Sequence, residues 1–100
     1  MAIQDTDILE KLMLNYQKTM KILPPPLAEE FQQKIIRPSD LKGYASTIMV
    51  AREFHNLTAV LMLQNRIADN FKYKNFGKRV AEQGVDPSRV FDQLLEGFLK

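Results

Sequence analysis

Apolar residues recur at helical spacing through most of the chain, and no segment shows the period-two alternation of a half-buried strand. Asp5, Thr6 and Asp7 are competent N-caps, and Glu10 follows Asp7 at capping-box spacing. Leu9, Met13, Tyr16, Met20 and Leu23 then succeed one another at intervals of 4, 3, 4 and 3, and Ile8 and Leu12 widen the stripe. This pattern predicts an amphipathic helix over 6–22, too short in heptads to read as a coiled coil. Pro24-Pro25-Pro26 ends it, because proline donates no helical hydrogen bond. Pro26 can open a second helix over 26–36, with Leu27, Phe31 and Ile35 on one face and Ile36 beside them. Glu30 and Lys34 form a favourable i,i+4 pair on it. Arg37-Pro38-Ser39-Asp40 is the next break, with Ser39 or Asp40 as a cap.

Residues 41–71 contain no proline, and Gly43 is their only strong breaker, so the reading is one long central helix over 44–70. Six of the seven residues in Leu57-Thr58-Ala59-Val60-Leu61-Met62-Leu63 are apolar. A helix apolar all round must be covered all round. Ile48, Val50, Phe54, Leu57, Leu61, Ala68 and Phe71 fall near one face, and Val60, Met62, Leu63 and Ile67 fill others. At ~1.5 Å per residue such a helix is roughly 40 Å long. A compact domain of this size is only about 30–35 Å across. The helix must therefore kink or break, with His55-Asn56 the natural place, or project and be covered by a second copy. The second solution implies a homodimer.

Beyond it, a turn is expected at 72–75 and a short helix at 76–83, stopped by Gly84. Asp86 caps the final helix, Pro87 takes its first position, and Val85 and Val90 have the spacing of a hydrophobic staple. Val90, Phe91, Leu94, Leu95, Phe98 and Leu99 form its apolar stripe. The fold class expected is all-α: one domain over 1–100, a small bundle of about five helices around the long 44–70 helix.

Charge changes the picture locally. The net charge is only +2, but Arg66, Lys72, Lys74, Lys78 and Arg79 oppose Asp69 alone between 66 and 79. Cysteine is absent, which leaves no disulfide framework and no thiolate zinc site. The acidic start lacks the apolar core of a secretory signal, and the longest apolar run is far below the ~20 residues of a membrane span. A cytoplasmic protein without a membrane partner is expected. His55 is the only histidine, and Glu53 two residues before it points elsewhere on a helix. The pairs Glu29-Glu30 and Asp5/Asp7 sit in first helical turns, where they stabilise the helix dipole. No Gly-rich phosphate loop, GxSxG or HExxH pattern occurs. The expectation is a non-enzymatic chain with no catalytic residue, cofactor, metal or small-molecule substrate.

Two binding readings remain. The first is a protein-interaction module that self-associates and meets a protein partner in a regulatory or assembly role, with Leu57, Val60, Leu61 and Met62 at the interface. The summed apolar surface supports it, and the methionines are adaptable interface fillers. The alternative is nucleic-acid binding through the basic and aromatic segment 71–79. There Lys72, Lys74, Lys78 and Arg79 would neutralise phosphates while Tyr73 stacks on a base. Val80, Gly84 and Val90 also have helix-turn-helix spacing within 76–99. Arg89 and Gln93 suit a groove-facing helix, whereas Asp92 and Glu96 oppose phosphates. These two like charges at i,i+4 can be offset by Arg89 and Lys100 within the helix, or across the fold if the basic 72–79 segment lies opposite them.

Overall fold

The computed structural model describes residues 5–98, without the side chains of residues 5, 6 and 57. The capping roles expected of Asp5 and Thr6, and the places of Leu99 and Lys100, lie outside the described residues. Among these residues there are six α-helices and no strand. They are α1 (Asp5–Ile22), α2 (Pro25–Glu30), α3 (Asp40–Glu53), α4 (Leu57–Phe71), α5 (Phe76–Glu82) and α6 (Pro87–Leu94). A π-helical turn, Phe31–Ile35, continues α2, and a 3₁₀ turn, Tyr73–Asn75, joins α4 to α5.

No single 44–70 helix runs through the bundle; α3, from the first half of that stretch, shares its middle with α1. Helix α1 packs against α3 and α6, and α4 packs against α3. The face that α1 buries is rotated from the predicted stripe. Ile8, Leu12, Asn15, Tyr16, Thr19 and Leu23 are buried, whereas Met13 is exposed. Asn15 takes a core position because the end of α6 requires a donor there, and Thr19 is buried one turn further along. Asn15 Nδ2 donates to the Leu94 carbonyl at 3.1 Å and to the Glu96 carbonyl at 3.0 Å. Leu94 is the last residue of α6 and Glu96 lies just past it, where carbonyls lack helical partners. Thr19 Oγ1 returns its own donor to the Asn15 carbonyl at 2.8 Å.

The long helix is broken. In place of one rod over 44–70, α3 begins at Asp40 and runs through Gly43, and α4 starts afresh at Leu57. His55 adopts a left-handed conformation (φ 51°), which no α-helix tolerates in its interior. Asn56 caps α4, its side-chain oxygen accepting from the Ala59 N–H at 3.3 Å. The break folds α3 and α4 into an antiparallel hairpin, and the argument for a second copy from helix length alone falls with it. The molecule measures 43 × 23 × 21 Å, longer than the expected globe. The predicted face holds only in part: Ile48 and Phe71 are buried as expected, but Leu63 and Ile67 from other faces are buried with them, while Val50, Phe54, Leu61 and Ala68 are exposed.

The other stops follow local chemistry. The π turn closes with the Ile36 N–H donating to the Phe31 carbonyl at 2.9 Å, five residues back. Phe31, Ile35 and Ile36 are all buried as a result. Gly84 (φ 85°) ends α5 with the paired hydrogen bonds of a Schellman motif, Val85 N–H to Val80 carbonyl and Gly84 N–H to Ala81 carbonyl. Asp86 then caps α6 as predicted, accepting from the Ser88 N–H at 2.9 Å.

Aromatic rings tie these pieces together. Phe31 is fully buried and lies 5.7 Å from Tyr16, 6.0 Å from Phe71 and 5.9 Å from Phe76, centroid to centroid. Phe71 in turn meets Phe76 and Phe91 edge-on. Truncating the hub removes its contacts with three rings at once. Phe31→Ala is expected to lower stability by ~3–5 kcal/mol, read as a shift of the urea midpoint; a loss under ~1 kcal/mol would contradict this role.

Candidate functional site

The hairpin carries most of the exposed apolar surface. Among the described residues the exposed large apolar side chains are Met13, Leu14, Val50, Phe54, Leu61, Met62 and Tyr73. Four of these belong to α3, α4 and the turn between them. Phe54 is 70% exposed, Met62 60%, Leu61 57% and Val50 40%. Of the residues expected at an interface, Leu61 and Met62 stand in solvent, Val60 is half-buried, and the Leu57 side chain lies outside the described residues. Their neighbour Leu63 is buried. On a helix, residues 61 and 63 differ by 200° in direction, so similar side chains two apart meet opposite environments.

The basic segment is less available than its composition suggests. Arg79 forks onto Glu30 with two bonds, Nη1 to Oε1 at 2.5 Å and Nη2 to Oε2 at 2.6 Å. Its Nε donates to the Lys74 carbonyl at 3.1 Å, and its guanidinium lies 5.6 Å from the Phe76 ring centroid. Lys74 and Asn75 are both left-handed, a conformation that costs an ordinary residue roughly 1–2 kcal/mol. Arg79 therefore clamps a strained turn to α2, and its guanidinium is already engaged by a carboxylate where a phosphate contact was expected of it. Lys72 pairs with Asp69 at 3.3 Å, and Lys74 Nζ lies 5.5 Å from the Tyr73 ring centroid. Lys78 and Arg89 are exposed.

Val80 and Val90 are buried where α5 meets α6, across the Gly84 turn. Outward, α6 presents Ser88, Arg89 and Asp92, and Glu96 is exposed just past its end. Gln93 is half-buried and donates to the Glu96 carboxylate at 2.9 Å. The expected relief of Asp92 by the 72–79 cations does not occur: Asp92 has no ion pair among the described residues, and Lys72 and Arg79 are paired elsewhere.

An open, polar cleft of about 760 Å³ lies along the α3–α4 seam at the end away from the hairpin turn. Asp40, Gly43 and Tyr44 of α3 form one wall, Arg66 and Asn70 of α4 the other, and Lys34, Arg37 and Tyr73 its rim. Arg37 reaches Asp40 at 3.6 Å, and the Asp40 carboxylate also accepts the Arg37 N–H at 3.0 Å. Asn70 Nδ2 donates to the Tyr44 hydroxyl at 3.4 Å. Burial raises the Tyr44 phenol above its ordinary range, the nearby Asp40 adds to the rise, and Arg66 opposes it. Further along the seam a second, mostly apolar hollow of about 240 Å³ lies between Ser46, Thr47, Val50 and Ala59. Sequence reading missed the cleft because its two walls lie more than twenty residues apart, and only the hairpin brings them together. Arg66 was visible merely as the first member of a basic run.

His55 is exposed at the hairpin turn. Glu30 is engaged by Arg79, and Glu29 accepts from Gln33 at 3.4 Å. Among the described residues no group of three or more His, Cys, Asp or Glu side chains is placed to hold a metal, and no helix is long and apolar enough to cross a membrane. Compared with known proteins, the chain matches no family model, no curated protein and no solved structure. Function must be argued from these surfaces alone.

The Arg79 fork holds the Glu30 carboxyl below the usual carboxylate range; Lys34 and Lys74 act in the same direction, and burial opposes them. A depressed folded value stabilises above the unfolded value of ~4.3 and ceases to do so as pH falls through the folded one. Glu30→Gln is therefore expected to lower the urea midpoint at pH 7, with the gap to wild type closing below about pH 4. A gap constant with pH would exclude the ion pair as its source.

Proposed function

We propose that this chain is a non-enzymatic protein-interaction module, and that it self-associates through the turn end of the α3–α4 hairpin. One observation carries the reading: Phe54, Leu61 and Met62 are each more than half exposed on one hairpin. Exposed apolar groups gathered in one region mark interaction sites more often than isolated ones do. Covering a large apolar side chain gains roughly 1.5–3 kcal/mol. Covering several gives a total of the same order as the ~4–15 kcal/mol cost of association. In a symmetric dimer Phe54, Leu61 and Met62 are covered on both copies, roughly 9–18 kcal/mol in all, and a surplus near the ~8 kcal/mol of a weak, micromolar dimer is expected.

Sedimentation at high micromolar concentration tests it. The wild-type chain should exceed the monomer mass, and Leu61→Glu with Met62→Glu should return it to monomer. Both side chains are solvent-facing, so stability should change by no more than ~0.5 kcal/mol per site. A wild-type chain that stays strictly monomeric refutes self-association.

A second reading, nucleic-acid binding, is favoured by Tyr73, which is exposed between Lys72 and Lys74 with Lys78 nearby in sequence. Because Arg79 is engaged by Glu30, three lysines remain for phosphates. The log–log salt slope on duplex DNA should then be about −2.7. Absence of a complex in low salt would dismiss this alternative.

A further inference from the structure

The α3–α4 seam changes character along its length. Near the hairpin turn its lining is Val50 and Ala59 with two small hydroxyl residues. Away from the turn it opens into the cleft, where Lys34, Arg37 and Arg66 outnumber the single carboxylate, Asp40. Those three cations come from the π turn, the loop before α3, and α4. Gly43 faces this space: a Cβ added there would meet no atom within 4 Å.

We infer that this cleft binds an acidic segment of a partner protein, with carboxylates at Arg66, Arg37 and Lys34 and an apolar side chain in the Val50–Ala59 hollow. The inference rests on the interaction-module reading but uses a different part of the hairpin from the self-association surface. Charge complementarity names the partner's sign, and guanidinium groups suit carboxylates because their forked donors match both oxygens. Three features favour a peptide over a nucleic acid. Asp40 stands in the cleft and would repel an unbroken row of phosphates, whereas a peptide can place a neutral residue opposite it. Gln33, Ser39, Tyr44 and Asn70 offer the mixed donors and acceptors that peptide amides require. The adjoining hollow is apolar, and a phosphodiester backbone would leave it empty.

The test is fluorescence anisotropy with a labelled helical peptide that carries glutamates along one face and two leucines near one end. Parallel titrations use the same peptide with lysine for glutamate and a labelled oligothymidylate. The wild-type chain should bind the glutamate peptide in preference to both. Arg66→Glu should weaken binding by at least about tenfold, equivalent to ~1.4 kcal/mol. Gly43→Gln, which fills the cleft without a backbone clash, should weaken it comparably. Lys78→Glu, on α5 outside the cleft, should leave it unchanged, and all variants should keep the wild-type circular dichroism spectrum. Binding that survives both Arg66→Glu and Gly43→Gln, or no binding of the glutamate peptide, overturns the inference. So does tighter binding of the oligonucleotide with the same sensitivity, which would assign the cleft to nucleic acid. The double variant Phe54→Glu, Leu61→Glu separates the two surfaces: it should abolish self-association and leave peptide affinity intact, Met62 being kept because it stands one helical turn before Arg66.

Discussion

The fold depends on one ring, that of Phe31. Tyr16 of α1, Phe71 of α4 and Phe76 of α5 each lie about 6 Å or less from it, and Phe91 of α6 joins through Phe71. Aromatic pairs prefer tilted or edge-on geometry, so a hub of this kind fixes direction as well as proximity. The π turn serves it by giving Phe31, Ile35 and Ile36 to the core together, and Tyr16 closes the turn by donating its hydroxyl to the Ile36 carbonyl at 2.5 Å. Burial of that phenol, with Asp40 near it, raises its pKa to about 12. The hydroxyl therefore remains a donor well above neutral pH.

The hub also explains where the chain is thinly covered. It holds α4 by its last residue, Phe71, while the other end of that helix starts at the hairpin turn, roughly 20 Å away at ~1.5 Å per residue. There α4 has α3 as its neighbour and little else to cover Leu61 and Met62. An elongated molecule follows from the same arrangement. The apolar excess of 57–63 is thus real, and breaking the rod disposes of only part of it: Leu63 goes inward and Leu61 does not.

Chain punctuation was legible in the sequence and helix phase was not. The three prolines, Gly84 and the Asp86-Pro87 pair act through their own backbone chemistry, so their neighbours need not be known. The break at 54–56 was half legible, since Asn56 is a capping residue and an unbroken helix is too long for the domain. Which face turns inward depends on partners far away in the chain. Met13 looks as apolar as Leu12, yet it is Asn15 that the end of α6 draws into the core. Charges behaved likewise. Arg79 reads as part of a cationic run, but its partner Glu30 lies 49 residues earlier. The cleft had no linear signature at all, because Arg37 and Arg66 meet only through the hairpin.

The distribution of polar groups bears on what kind of function to seek. Water-excluded polar side chains are the usual raw material of catalysis, since their energies and pKa values are open to tuning there. In this chain three of the buried ones serve the backbone: Asn15 holds the end of α6 through its Nδ2, Thr19 bonds back to α1, and Tyr16 closes the π turn, while the Tyr44 hydroxyl accepts from Asn70 at the cleft. Outside the core, one group of polar side chains lines an open cleft, where water screens each charge and weakens any single contact. A site of that kind gains from several contacts at once along an extended ligand rather than from one strong group. The α3–α4 seam supplies such a row, basic at one end and apolar at the other, and this is why a binding role is proposed for it.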